Sequence, residues 1–168
     1  MLNQQPIPIH LPDWGVAFVE SRHHPQFKMQ ERIDPFHKFF LVNEGRMKLH
    51  LGDSEPSEVG PHTVFLVPAE TGHQLVDRSP ASLLILCVHK DFPHLLPTLH
   101  PVWSSLTEHL QEPVLPSSLL TQRIDSLWRR GINEQEIDTR FTPINHQLLA
   151  MELMVALVQA TRFPRKND

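Results

Sequence analysis

The stretch that decides the fold runs from Phe36 to His73 and reads FHKFFLVNEGRMKLHLGDSEPSEVGPHTVFLVPAETGH. It contains three runs rich in aromatic and β-branched residues, FHKFFLV, RMKLHL and TVFLVP, which are separated by Gly, Asn, Asp, Ser and Pro. Runs of this length and composition are typical of β-strands. The turn Asn43-Glu44-Gly45 joins the first two runs and predicts a tight hairpin.

The flanking sequence extends this β pattern in both directions. We predict strands at 14–20, 26–32 and 82–89 and a short edge strand at 55–59, with turns at the Pro, Gly and Asp residues between them. About eight short strands at spacings of roughly eight to twelve residues indicate an antiparallel barrel or jelly roll. Alternating β and α units would need helical segments between the strands, and the sequence before residue 90 has none.

The composition changes after residue 90, where helical patterns replace the strand pattern. Residues 101–111 predict a short helix, and Pro116 to Gly131 predict a second helix that ends at the glycine. Thr142-Pro143 begins a third helix, which runs to about Arg162.

The third predicted helix is apolar nearly all the way round. Residues 148–160 read LLAMELMVALVQA and contain one charged residue, Glu152. A helix of this kind must be buried on more than one side. Four residues form one of its faces: Leu148, Met151, Val155 and Val158. Either a helical hairpin within the chain covers that face or a second copy of the chain does, and we expect the homodimer.

The overall composition argues against several classes of protein. A formal net charge of −4 disfavours direct nucleic-acid binding, because contacts to phosphate need clustered Lys and Arg. The single cysteine, Cys87, lies in an apolar run and forms no disulfide framework. The N-terminus lacks the pattern of a signal peptide, and no apolar run approaches the roughly 20 residues of a membrane helix. We therefore expect a cytoplasmic protein that does not contact a membrane.

The order of these parts resembles the N-terminal effector-binding and dimerisation domain of AraC-type transcription regulators, over roughly residues 14–163. The resemblance rests on FHKFFLVNEGRMKLHL, VFLVPAETGHQLVD and LLAMELMVALV. It implies a mainly β fold, a cupin-like antiparallel β-barrel of the jelly-roll type followed by a helical dimerisation hairpin. The expected divisions are an N-terminal arm (1–13), the barrel (14–90), a linker and helical dimerisation region (91–163) and the start of a further linker (164–168).

The resemblance also implies a sensor function. A small-molecule effector would enter the barrel, the N-terminal arm would close over it, and paired helices would set how two DNA-reading domains are presented. Those helix-turn-helix domains have no room after Asp168, so we expect a truncated sensor fragment or a standalone sensor. This interpretation involves no catalytic residue and no cofactor, and DNA is reached only through a domain absent from this chain.

A metal centre is the main alternative to test in a cupin-like barrel. Metal-binding cupins carry an H-x-H pair and a glutamate near the first hairpin and a later histidine after a Pro-x-Gly turn. Counted back from Gly45, this chain has Lys38 at the glutamate position and Ile33-Asp34-Pro35 at the H-x-H region, and only His73 matches. Because an ammonium group has no lone pair to give, the pattern does not predict a metal site of that type. An improvised site stays open, built from His37, His62 and His73.

The interior of the barrel is the better candidate for a binding site. Period-two alternation places Lys38 and Phe40 on one face of the first strand and His37 and Phe39 on the other. If the inward face of the family is kept, Lys38, Phe40 and His73 line the interior and favour an anionic or hydroxylated ligand. Three alternatives stay open: a barrel that is simply packed, a metal-dependent cupin enzyme of the isomerase or dioxygenase type, and a sugar-binding or storage-type barrel.

Overall fold

The computed structural model describes residues 8–24 and 28–163. Within them the chain forms strands and then helices, in this order: β1 (Val16–His23), β2 (Phe36–Glu44), β3 (Met47–Leu51), β4 (Ser57–Val59), β5 (Val64–Val67), β6 (His73–Asp77), β7 (Ala81–His89), a single 3₁₀ turn (Phe92–His94), α1 (Leu99–His109), α2 (Ser118–Ile137) and α3 (Thr142–Arg162). The predicted fold class, mainly β with helices at the C-terminal end, is confirmed.

The strands form two antiparallel sheets that pack face to face. One sheet has four strands in the order β1-β7-β2-β5, and the other has three in the order β4-β3-β6. Strand β7 pairs with both β1 and β2 and is buried along eight of its nine residues. The two sheets form a sandwich of the jelly-roll type. The tight hairpin predicted for the first two runs is wrong, because β2 and β3 lie in different sheets and β3 pairs with β4 and β6 instead.

The four-stranded sheet is covered on both faces, which gives the molecule three layers. One face packs on the three-stranded sheet through residues such as Phe40, Phe65 and Leu83, and we call this the inter-sheet core. The other face packs on the helices through residues such as Phe39 and Trp128, and we call this the helix-side core. Phe39 and Phe40 are neighbours on β2, so the observed faces follow the alternation expected of a strand.

The strand predicted at 26–32 is wrong in the part that the structure describes. Residues 25–27 lie outside the described residues, and the rest pairs with β6 only through two isolated bridges, at Lys28 and Arg32. The alternation that predicted a strand arises because the side chain of Met29 packs into the inter-sheet core while its neighbours face solvent. The short edge strand predicted at 55–59 is present as β4.

The C-terminal end predicted for the second helix is wrong. Helix α2 continues through Gly131 to Ile137, so Gly131 is not a C-terminal cap. The ring of Phe18 on β1 packs directly on this glycine, and a Cβ atom there would lie 2.4 Å from the ring. Gly131 therefore serves the close approach of a helix to a sheet. The bounds predicted for the third helix agree with α3.

None of the helices in the described part of the chain combines the length and hydropathy that crossing a lipid bilayer requires.

Candidate functional site

A cavity of about 240 Å³ lies inside the inter-sheet core, bounded by strands of both sheets. Most of its wall is apolar, formed by Ile9, Val19, Met29, Phe40, Leu75, Leu83 and Ile85. Polar residues complete the wall: Glu20, Ser21, Arg22 and His23 of β1, together with Arg32, Lys38 and His73. The three residues that the sequence assigned to a binding site, Lys38, Phe40 and His73, thus lie together around one cavity. Apolar walls with a few convergent polar groups are typical of small-molecule sites.

Lys38 is the central polar group of this site. Its side chain is only 3% exposed, and its ammonium contacts Oδ2 of Asp34 and lies 3.2 Å from Nε2 of His73. Burial lowers the pKa of Lys38, and the hydrogen bond to the Asp34 carboxylate opposes that shift. The rings of Phe36 and Phe40 lie within about 6 Å of the ammonium and add apolar cover on the strand itself.

His73 acts as an acceptor toward Lys38. Its Nδ1–H donates to the backbone carbonyl of Thr71 at 3.3 Å, so Nε2 carries the lone pair that accepts from the Lys38 ammonium. Burial, followed by the nearby Lys38 charge, lowers the pKa of His73 to about 4. The imidazole is therefore neutral at physiological pH, and its ring meets Phe40 edge-on at 6.5 Å.

Asp34 and Arg32 complete the polar cluster, and sequence reasoning did not assign either to the site. Arg32 donates to Oδ1 of Asp34 at 2.5 Å. Burial alone would raise the pKa of Asp34, but the hydrogen bonds from Arg32 and Lys38 outweigh it and the pKa is lowered. Asp34 directly precedes a proline, so its sequence context indicates a turn. The observed ion pair depends on how the 28–34 segment packs against β2 and β6.

The backbone fixes this cluster from two sides. Arg32 and His73 exchange two backbone hydrogen bonds of 3.0 Å each. The carbonyl of Asp34 accepts a 2.8 Å bond from the N–H of Glu70, which has a φ of 60° in the left-handed region. The turn before β6 and the segment before β2 therefore hold each other, and the ionic side chains lie between them.

The residues present do not fit the metal centre of a cupin. Oδ2 of Asp34 and Nε2 of His73 lie 3.9 Å apart, and the Lys38 ammonium contacts both atoms. A fixed positive charge thus lies where these two groups would share a cation. Within residues 8–24 and 28–163, no three side chains of His, Cys, Asp or Glu converge as metal ligands would.

The improvised site of His37, His62 and His73 is not assembled in the structure. His37 points to the helices, where its ring lies 4.2 Å from Trp103 and its Nδ1 accepts the N–H of Ala69 at 2.8 Å. His62 is exposed in a turn, and His73 is inside the sandwich. His37 and Lys38 are successive residues of one strand, so their side chains leave opposite faces of the sheet.

Two further polar pairs include residues that line the cavity. His23, at the end of β1, lies 3.0 Å from the carboxylate of Asp77 on β6, and both side chains are almost fully buried. Arg22 and Glu20 form a more exposed pair at 3.2 Å on β1. His23 and Asp77 belong to different sheets, so their pair connects the two layers at one end of the cavity.

The predicted dimer face of α3 is partly open to solvent. Leu148 is 56% exposed and Val155 is 39% exposed. Met151 and Val158 are half-buried and contact the helix-side core. Ile144, which sequence reasoning did not include, is 51% exposed and extends the same face by one turn.

The other side of α3 is covered within the chain. Leu149, Leu153 and Ala156 are buried in the helix-side core. An intramolecular helical packing therefore accounts for that side of the helix, while the face that begins at Ile144 keeps its exposed apolar side chains.

No protein-family model and no curated protein matches this chain. Among solved structures, the chain is similar to a cupin superfamily protein from Desulfitobacterium hafniense, with 16% identity and a TM-score of 0.44 over 49% of this chain and 74% of that one. It is also similar to a conserved protein of unknown function from Streptococcus pyogenes, with 15% identity and a TM-score of 0.42 over 45% of this chain and 65% of that one.

An RmlC-like cupin from Shewanella frigidimarina gives 15% identity and a TM-score of 0.42 over 45% of this chain and 67% of that one. Less than half of this chain is covered in each of these three comparisons. Likeness at this level carries no inference about activity, ligand or partner, so all of these are proposals for this chain.

Proposed function

We propose that this chain is the ligand-sensing and dimerisation part of an AraC-type transcription regulator. A small molecule binds in the inter-sheet cavity beside Lys38, and α3 pairs two copies of the chain. The observation that carries the proposal is an apolar cavity, lined also by buried polar groups, in a chain that exposes an apolar helix face. DNA is contacted by a separate domain, which is consistent with the formal charge of −4 on this chain.

The strands provide a direct route from the cavity to the helices. On β1, Val19 lines the cavity, while its neighbour Phe18 packs on Gly131 of α2. On β7, Leu83 lines the cavity, while Leu84 belongs to the helix-side core. Because successive residues of a strand face opposite sides, a ligand that shifts β1 or β7 also changes the surface on which the helices pack.

The occupant of the exposed α3 face is a second copy of the chain. Ile144, Leu148, Met151 and Val155 follow one another at spacings of four, three and four residues, the repeat of a coiled-coil seam. A seam of this kind is self-complementary, as a two-fold dimer requires. Arg123 and Glu152, which lie 3.8 Å apart, provide a polar border along it.

Sedimentation of matched variants tests the pairing. We expect the wild-type chain to sediment as a dimer at micromolar concentration and Leu148→Glu to sediment as a monomer, because the substitution places a charge in the apolar seam. Ile33→Glu is the control, since Ile33 is 63% exposed and lies beside Gly72 in the β part of the molecule rather than on a helix, and this variant should remain dimeric. A monomeric wild type, or a dimer that survives Leu148→Glu unchanged, contradicts the proposed interface.

A further inference from the structure

We infer that the inter-sheet cavity takes an organic carboxylate with an apolar body, and that the Lys38 ammonium binds its anionic end. This inference rests on the proposed function, in which the cavity holds a small molecule, and adds the charge, orientation and size of that molecule. The inference is based on the geometry around Lys38, the charged groups along the cavity wall, and the volume of the cavity.

Lys38 has hydrogen-bonding capacity beyond its contacts in the chain. An ammonium group carries three N–H donors and no acceptor. Among the described residues, the carboxylate of Asp34 and the Nε2 atom of His73 account for two of these donors. The side chain lines the cavity, so the third donor is available to an acceptor atom there. The ligand group next to Lys38 must therefore be an acceptor, such as a carboxylate or carbonyl oxygen.

The charges around the cavity favour a carboxylate over a neutral acceptor. Glu20 forms an ion pair with Arg22, and the Asp77 carboxylate is hydrogen-bonded to His23, so both acidic groups have polar partners within the chain. In the polar cluster, two cations, Arg32 and Lys38, share the one carboxylate of Asp34. Lys38 donates from a mostly apolar wall, where its charge-assisted hydrogen bond to a carboxylate is stronger than its bond to a neutral acceptor such as a hydroxyl.

His73 adds no charge to the cluster formed by Arg32, Asp34 and Lys38. Burial and the Lys38 charge hold the pKa of His73 at about 4, so the imidazole is neutral at pH 7. Its one ring N–H is already donated to Thr71. His73 therefore orients the Lys38 ammonium and leaves the recognition of the anion to Lys38.

The size of the cavity limits the body of the ligand. At about 30 Å³ for each water in the liquid, 240 Å³ corresponds to the volume of about eight waters and holds a molecule of about ten non-hydrogen atoms. Phe40, Leu75, Leu83 and Ile85 present only apolar surface to it. Hexanoate and benzoate have this size and chemistry, and each has a neutral amide of nearly the same shape.

Calorimetric titration of these pairs tests the inference. We expect hexanoate and benzoate to bind wild-type protein about tenfold or more tightly than hexanamide and benzamide, as a charge-assisted hydrogen bond predicts. Lys38→Met should abolish this preference. Lys48→Met is the matched control: Lys48 is on β3, where its neighbours Met47 and Leu49 face the inter-sheet core and Lys48 faces away, so this variant should keep the preference.

A second variant keeps the test valid if Lys38→Met does not fold. Lys38→Gln removes the charge of the lysine and keeps an N–H donor for the Asp34 carboxylate, whose ion pair with Arg32 is unchanged. It should fold and bind acid and amide equally. A preference for the acid that persists in either variant overturns the role of Lys38.

The remaining outcomes separate this inference from the proposed function. If wild-type protein binds acid and amide equally and the two compete, the charge assignment is wrong and the ligand cavity stands. If wild-type protein binds neither compound of either pair, a small-molecule site of this size is contradicted and both proposals fail.

Discussion

The two faces of the four-stranded sheet are built from the same strands and differ in what they enclose. On the helix side, bulky residues such as Phe18, Phe39 and Trp128 are fully buried and close-packed. On the side of the second sheet, the same strands border a 240 Å³ cavity and an ionic cluster around Lys38. The comparison shows that one face of the sheet is a close-packed core and that the other surrounds a cavity with buried charges beside it.

The two faces of the sheet also differ in the free-energy cost of the groups that they bury. A charged pair inside a protein costs desolvation free energy that apolar side chains of similar volume do not. Lys38 and Asp34 incur this cost in the inter-sheet core, whereas on the helix side burial lowers the pKa of His37 and of His146 and keeps both imidazoles neutral. A polar cluster that costs stability beside a cavity is typical of a functional site.

The largest expected effect compares two leucines of β7. Leu86 is fully buried in the helix-side core and Leu83 borders the cavity. We expect Leu86→Ala to lower the free energy of unfolding by about 3.5 kcal/mol, and Leu83→Ala by about 2 kcal/mol, because a side chain beside a cavity loses fewer packing contacts when it is removed. Urea denaturation measures both. Equal losses would show that the inter-sheet core is packed as densely as the helix-side core.

The next effect concerns the ion pair itself. Lys38→Met should lower the free energy of unfolding by about 3 kcal/mol, because it leaves the Asp34 carboxylate buried with Arg32 as its remaining partner in the cluster. Lys38→Gln, which keeps an N–H donor for the Asp34 carboxylate, should lose less stability in the same denaturation experiment. If Lys38→Met unfolds at the wild-type urea concentration, the pair contributes nothing to stability and the contrast between the faces is one of shape alone.

The sequence was sufficient for features that depend on local patterns. The alternation in FHKFF correctly places Lys38 and Phe40 on one face of β2, since side-chain direction follows the backbone period. The turn predicted at Asn43 to Gly45 lies between β2 and β3, but the hairpin predicted there is wrong because β3 pairs with strands of the other sheet. Thr142-Pro143 likewise marks the start of α3, because an N-terminal proline fits the first helical turn.

Features that depend on packing between distant segments were not predictable. Gly131 has the sequence context of a helix end, and only the approach of Phe18 explains why a glycine lies in mid-helix. Asp34 has the context of a turn, yet its side chain meets Lys38 inside the molecule. Both cases follow from tertiary contacts, which hydrophobic periodicity and turn signals do not report.

The smallest expected effect is a pH dependence shared by one histidine on each face. Burial lowers the pKa of both His37 and His73 to about 4, from an ordinary value near 6.5. A depressed histidine pKa means that the unfolded chain binds more protons between these two values. Stability is therefore fully present above pH 6.5 and is lost as the pH falls toward 4. For His73, we expect a loss of about 2 kcal/mol between pH 7 and pH 5.

Imidazole titration by NMR, with urea denaturation at pH 7 and pH 5, tests this effect on each face separately. His73→Gln should reduce the pH dependence of the unfolding free energy, and both imidazoles should remain neutral to below pH 5. The groups that face His73 are Lys38, Asp34 and Arg32, and the Lys38 charge adds to the effect of burial in keeping it neutral. A normal pKa for His73 beside a depressed one for His37 would mean that water fills the cavity and solvates the imidazole. In that case the inter-sheet face is a hydrated pocket, and an entering carboxylate would have to displace ordered water from Lys38.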